Sequence, residues 1–175
     1  MKKIIIGIAT ACAVVFTGCK SAPTVDTMYS TSYAIGVSAA LVMNQTKIGD
    51  EDRNAIIGII NDVNQSVPET NSTFTTSWTP IAQKHVDQLI ADGKLDDAKG
   101  QIVMKLFCAG VKTLDYVVYK RYPVVGKNVE LLESTTHGFC AGLFEYYKSA
   151  NTLSVSPMTV NDEEAYAYML KLTTK

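Results

Sequence analysis

Four cysteines, two histidines and a dense set of tyrosines carry most of the chemistry available to this chain. Cys108 and Cys140 each sit in the same tetrad, Phe107-Cys-Ala-Gly110 and Phe139-Cys-Ala-Gly142. No Cys-x-x-Cys spacing is present, so a thioredoxin-like redox pair is not indicated. His85 and His137 stand alone in sequence. A zinc site needs three or four convergent ligands, and neither His-Glu-x-x-His nor a close Cys/His cluster occurs, so no metal is expected. Ser134, His137 and Asp115 can be imagined as a triad, because triads are assembled in space, but no nucleophile elbow accompanies them. Gly-x-x-x-x-Gly-Lys-Ser/Thr and Gly-x-Gly-x-x-Gly are both missing, which leaves no phosphate cradle. Glu163 and Glu164 open a helix, where the dipole accounts for them without acid–base work. The expectation is therefore no catalytic residues and no cofactor.

The aromatic set is the more suggestive one. Tyr116, Tyr119, Tyr122, Tyr146, Tyr147, Tyr166 and Tyr168 fall in the C-terminal half. A tyrosine buries its ring while its hydroxyl stays wet, which suits a helix edge or a partner surface. Tyr119 and Tyr122 flank Lys120 and Arg121 just before Pro123, and these four make the candidate partner surface. Phe74 and Trp78 lie in a hydroxyl- and amide-rich stretch. They are candidate loop anchors, with packing onto the core favoured over a ligand-facing rim.

The elements that must position these groups are helical. The apolar spacing predicts a helix over about 28–46, with Ala34, Val37, Ala40 and Leu41 on one stripe. Gly36 and Ala40 form a small-xxx-small edge where a second helix can approach. Gly49-Asp50 breaks the pattern, and Asp50 is expected to cap a helix over about 51–64. Ala55-Ile-Ile-Gly-Ile-Ile60 is apolar all round, as in a central helix; a buried strand is the rival reading, disfavoured by the polar ends. Residues 65–78 read as a loop, because hydroxyl and amide side chains compete for backbone hydrogen bonds. Thr79 and Pro80 look like a helix start, with the end near Gly93. The next helix begins near Leu95 to Asp97 and runs toward Tyr122, where Pro123 stops it. Another covers about 128–149, with a break expected near Gly138. Residues 150–160 connect to a last helix after Asn161, where Asn161 and Glu164 have capping-box spacing. The fold class is all-α, a single compact bundle of five or six helices over residues 28–175.

The first nineteen residues give an address. Lys2 and Lys3 form a positive start, and residues 4 to 16 are an apolar run too short to span a bilayer comfortably. Phe16-Thr17-Gly18-Cys19 then resembles a lipobox, the cleavage signal of bacterial lipoproteins, with Phe16 in place of the usual aliphatic residue. The resemblance implies a signal peptide over 1–18, a diacylglycerol on the Cys19 thiol, further acylation, and a lipidated tether over 19–27. The protein would sit in the bacterial cell envelope, attached to a membrane by its lipid. Lys20 after the cysteine, with no aspartate there, resembles outer-membrane sorting, on the periplasmic side. Loss of Lys2 and Lys3 makes the formal charge of −1 more negative by two, so no nucleic-acid partner is indicated. In that oxidising compartment Cys108 and Cys140 read as an intramolecular disulfide stapling two adjacent helices. Closing such a loop would contribute roughly 3–4 kcal/mol in the chain-entropy model.

In outline, residues 28 to 171 resemble two kinds of helical envelope protein: the pilotins of secretion systems, which bind a secretin segment between helices, and periplasmic toxin-neutralising immunity proteins. No residue motif carries either likeness, so no position is transferred. Ser32-Tyr-Ala-Ile-Gly-Val-Ser38 resembles the first helix of the dimerising stalk of envelope FKBP-type prolyl isomerases, which implies helix pairing alone, because no isomerase domain follows. The resulting expectation is a lipid-anchored, non-catalytic module that binds or scaffolds an envelope protein. A small-molecule-binding lipoprotein, an immunity protein and an envelope enzyme are the alternatives.

Overall fold

The computed structural model describes residues 22–46, 48–149 and 162–174. Among them the secondary structure is helical throughout: α1 (Val25–Gln45), α2 (Asp50–Asn64), α3 (Phe74–Ala91), α4 (Asp97–Arg121), a 3-10 turn (Val125–Lys127), α5 (Val129–Ser149) and α6 (Glu163–Thr173). The all-α bundle is thus as expected. No described helix is long and apolar enough to cross a membrane. The lipobox with Cys19, Cys12 and the Asn161 cap lie outside the described residues.

The most extensive helix pairing is α1 on α5. The two run parallel: Ser134 Oγ donates to the Val25 carbonyl at 2.6 Å near one end, and Tyr33 Oη donates to Glu145 Oε2 at 2.5 Å further along both helices. Their backbones touch at glycines. A Cβ on Gly36 would collide with the Phe139 carbonyl, one on Gly138 with Ser32 Oγ and the Tyr29 carbonyl, and one on Gly142 with the Tyr33 carbonyl. The small edge on α1 therefore does receive a second helix. Gly138 does not break α5; it is what lets α5 lie against α1.

α2 packs antiparallel on α3, and its Ala55, Ile56, Ile59, Ile60 and Val63 are buried. Its helical rather than strand state follows from coverage on several sides by α3, α4 and α5. At its start Gly49 holds the cap position, and Asp52 Oδ2 accepts from Gly49 N at 2.9 Å, so the capping carboxylate belongs to Asp52 and not Asp50.

Two boundaries move. α1 begins at Val25, three residues earlier than expected, because Thr24 accepts from Thr27 N at 3.1 Å and caps it. α3 begins at Phe74, five residues before Thr79. Thr73 caps it by accepting from Thr76 N at 3.1 Å, and Asp115 on α4 accepts from Phe74 N and Thr75 N at 2.9 Å each. Pro80 therefore stands inside the helix, where it leaves the Thr76 carbonyl without its usual donor. The loop reduces to residues 65–73. At the other end of the chain, α6 is capped by Asp162, whose Oδ1 accepts from Ala165 N at 3.1 Å.

Phe74 and Trp78 are fully buried, as the packing reading expects, though from a helix. Phe74 packs on Trp78 with ring centroids 4.9 Å apart, Trp78 on Phe139 at 6.0 Å, and Phe74 on Tyr119 at 6.0 Å. Trp78 Nε1 donates to the Ser66 carbonyl at 2.8 Å, which satisfies the buried indole. Burial of each ring contributes about 2–3 kcal/mol.

The expected disulfide is not formed: Cys108 and Cys140 are free thiols. The tetrads do meet, since the Phe139 ring lies against Gly110. One residue on from each phenylalanine the helix has turned by about 100°, and the thiols diverge. Cys108 Sγ faces Thr79 Oγ1 on α3 at 3.9 Å, while Cys140 borders a cavity beside Ile60 and Asn61 of α2.

Candidate functional site

The Tyr119–Tyr122 surface does not stand free. Tyr119 Oη donates to the Ser72 carbonyl at 3.1 Å and its ring packs on Phe74; burial and the nearby Asp115 push its hydroxyl up to about 12. Lys120 Nζ donates to Glu164 Oε1 at 2.5 Å and to Tyr116 Oη at 3.3 Å. Arg121 forks onto Asp162 at 2.6 and 3.1 Å and reaches Glu164 at 2.9 Å. Both cations are thus bound to the N-terminal turn of α6, and Tyr116 stacks on Tyr168 at 4.1 Å. Tyr122 packs against the core from the end of α4. Lys120 and Arg121 thus clamp α6 onto α4, with Asp162 N also donating to Ser38 Oγ of α1 at 2.9 Å, while Tyr119 and Tyr122 face the α3 start and the core.

The imagined triad is not assembled. Asp115 is committed to the start of α3, and the Ser134 hydroxyl is committed to the Val25 carbonyl. His85 Nδ1 lies 2.7 Å from Asp62 Oδ2, but its Nε2 side stands directly over Gly58, so this imidazole is a wedge between α2 and α3. Among the described residues, no group of three or more His, Cys, Asp or Glu side chains could hold a metal ion. Burial pushes the Cys140 thiol up to about 12, which makes it a poor nucleophile.

A groove where α1, α2 and α5 meet gathers chemically distinct groups. One arm, about 470 Å³, is lined by Tyr29, Ile60, Asn61, Asn64, His137 and Phe144. A second arm, about 380 Å³, is lined by Val25, Asp26, Tyr29, Glu130, Glu133 and His137. Tyr29 and His137 belong to both arms, so the arms are continuous, and both are open to solvent. Gly138 sets this geometry, since its close contact with the Tyr29 carbonyl fixes how α1 crosses α5 beside His137. Tyr29 is 41% exposed and Val25 46%, large values for apolar side chains at the start of a core helix. The Tyr29 ring stacks on Tyr33 at 6.5 Å, which holds it in place.

Sequence reasoning reaches His137 but not the groove. Val25 and Tyr29 are four apart on the first turns of α1, a legible apolar pair off the main stripe. Their α5 partners arrive from more than a hundred residues away, and nothing local announces that.

Set against protein-family models, curated proteins and solved structures, the chain matches none of them.

Proposed function

We propose that this protein is a lipid-anchored, non-catalytic module of the bacterial cell envelope that docks another envelope protein in the groove around Tyr29 and His137. The lipid attachment rests on the sequence Phe16-Thr-Gly-Cys19 after its short apolar run. The observation that carries the docking role is the groove itself: open, two-armed, walled by exposed Tyr29 and half-buried Phe144, and edged by the exposed amides of Asn61 and Asn64. Open grooves with aromatic walls suit an extended protein segment, whereas small ligands favour enclosed pockets. The groove also opens near the lipid. Five residues stand between Cys19 and Val25, a reach of at most roughly 20 Å, so the docked segment would lie close to the bilayer.

The test is photocrosslinking in native membranes. A photoreactive side chain at position 29 should join one envelope protein, and the same group at position 122 should not. If position 122 captures that protein and position 29 does not, the interface lies on the α4 end instead.

A further inference from the structure

We infer that the docked segment is cationic at one end and apolar at the other: one or two arginines or lysines beside large hydrophobic residues. This rests on the docking role just proposed and specifies its chemistry. The acidic arm brings together Asp26 from the first turn of α1 and Glu130 and Glu133 from the start of α5. All three are exposed. The ion pairs among the described residues join α2 to α3, α2 to α4 and α4 to α6, or stay within the α3–α4 connection, and none reaches this arm. Two parallel helix starts lie here, each worth about half a positive charge, so among the described residues the three carboxylates leave about two net negative charges uncompensated. Glu130 and Glu133 also share one helix face, where like charges repel. A guanidinium fits this arm on three counts: it pairs with carboxylates in a fork, it can lie on the Tyr29 ring, and it relieves the repulsion.

The other arm calls for different chemistry. Phe144 and Ala141 offer apolar walls over the buried Ile60, and the amides of Asn61 and Asn64 can each donate to and accept from an extended backbone. His137 and Tyr29 sit at the junction. The direction follows: the basic residues lie over the helix starts and the apolar residues run along α5 toward Phe144.

The experiment uses the full-length protein in detergent and a fluorescein-labelled pentapeptide, two arginines followed by leucine, phenylalanine and leucine, read by anisotropy. Saturable binding is expected. It should weaken at least tenfold when the arginines are replaced by glutamates, and likewise when the three apolar residues are replaced by serines. A Glu130→Gln, Glu133→Gln double variant should weaken it about tenfold and flatten its salt dependence. Equal binding of the glutamate peptide overturns the inference, as does unchanged binding to a folded double variant. If that variant does not fold, the salt titration of the wild type decides: affinity must fall steeply as salt rises, and a flat profile overturns the claim. Failure of the peptides with cosedimentation on phosphatidylethanolamine vesicles, lost in Tyr29→Ala, overturns it in favour of a lipid surface. Crosslinking at position 29 without a cationic preference overturns this inference and leaves the docking role standing. A cationic preference without any crosslink at position 29 supports the groove chemistry and removes the docking role.

Discussion

One methyl group is enough to part α1 from α5. Gly142 has no room for a Cβ, because the Tyr33 carbonyl and Val37 N of the neighbouring helix occupy the space. Those obstacles are backbone atoms and cannot rotate away. Gly142→Ala should therefore cost about 2–3 kcal/mol, in the range of overpacked cores, seen as a lowered urea midpoint. Gly93 provides the contrast: it sits at φ +68° with nothing near its missing Cβ, so Gly93→Ala should cost only about 1 kcal/mol of backbone strain. The cysteines make a second residue-scale case. With its thiol pushed up to about 12, Cys140 is only about one part in ten thousand thiolate at pH 8. Maleimide labelling of the folded protein should modify Cys108 at least tenfold faster than Cys140, with both reacting after unfolding. Equal rates would contradict the burial of Cys140, and no free thiol in protein taken from its native compartment would contradict the assignment of two unpaired thiols.

Helices are held here by ends as much as by faces. α3 starts six residues before its proline because Asp115, forty positions downstream, accepts its first amide protons. Propensity cannot see such a cap. The run Ser72 to Ser77 reads as loop because its hydroxyls compete for the backbone, yet one of them, Thr73, is the local cap. By contrast, the end of α3 at Ala91, just before Gly93, and the span of α4 between its caps Asp96 and Tyr122 are legible, since cap, apolar face and proline all lie within or beside the segment itself. Asp115 also makes a pH prediction. Burial raises its pKa more than the hydrogen bonds from Thr75, Phe74 and Thr73 lower it. The folded chain then keeps a proton that the unfolded chain has released, so this group makes stability fall as pH rises from the ordinary carboxylate value through the raised one, and the contribution is flat above. The stability margin of wild type over Asp115→Asn should accordingly be larger at about pH 3.5 than at pH 7, measured by urea unfolding. At the chain's other end, α6 buries only Ala165 and Met169 and depends on the Arg121 fork. Arg121→Ala should raise amide exchange in α6 at least tenfold while α1 and α5 exchange as before; uniform loosening would mean that Arg121 supports the whole bundle.

At the scale of the whole molecule, the bundle class is readable from periodicity, but the arrangement is not. The parallel pairing of α1 with α5 joins segments more than a hundred residues apart, and the groove exists only through it. Gly36, with its small-residue edge, hints that some helix comes close; Gly138 and Gly142, which answer it, read in sequence as a break and a tetrad end. The tyrosine–arginine patch misleads for a related reason, because its acidic partners, Asp162 and Glu164, lie on an element that folds back onto it. What the bundle does not decide is its attachment, and that is testable. Even if wholly helical, thirteen residues such as 4 to 16 would span only about 20 Å, short of the roughly 30 Å hydrocarbon core, so a retained leader would be a poor anchor. Acyl chains on Cys19 would be a strong one, at about 0.8 kcal/mol for each buried methylene. Wild-type protein should therefore stay with membranes through a high-salt wash and take up labelled palmitate. Cys19→Ser should appear in the soluble envelope fraction with unchanged helical circular dichroism and thermal midpoint, because the described core is built from Met28 onward. A Cys19→Ser protein that remains in the membrane fraction, or a wild type that never acquires the label, would detach the groove from the bilayer and, with it, the reason to look for a partner there.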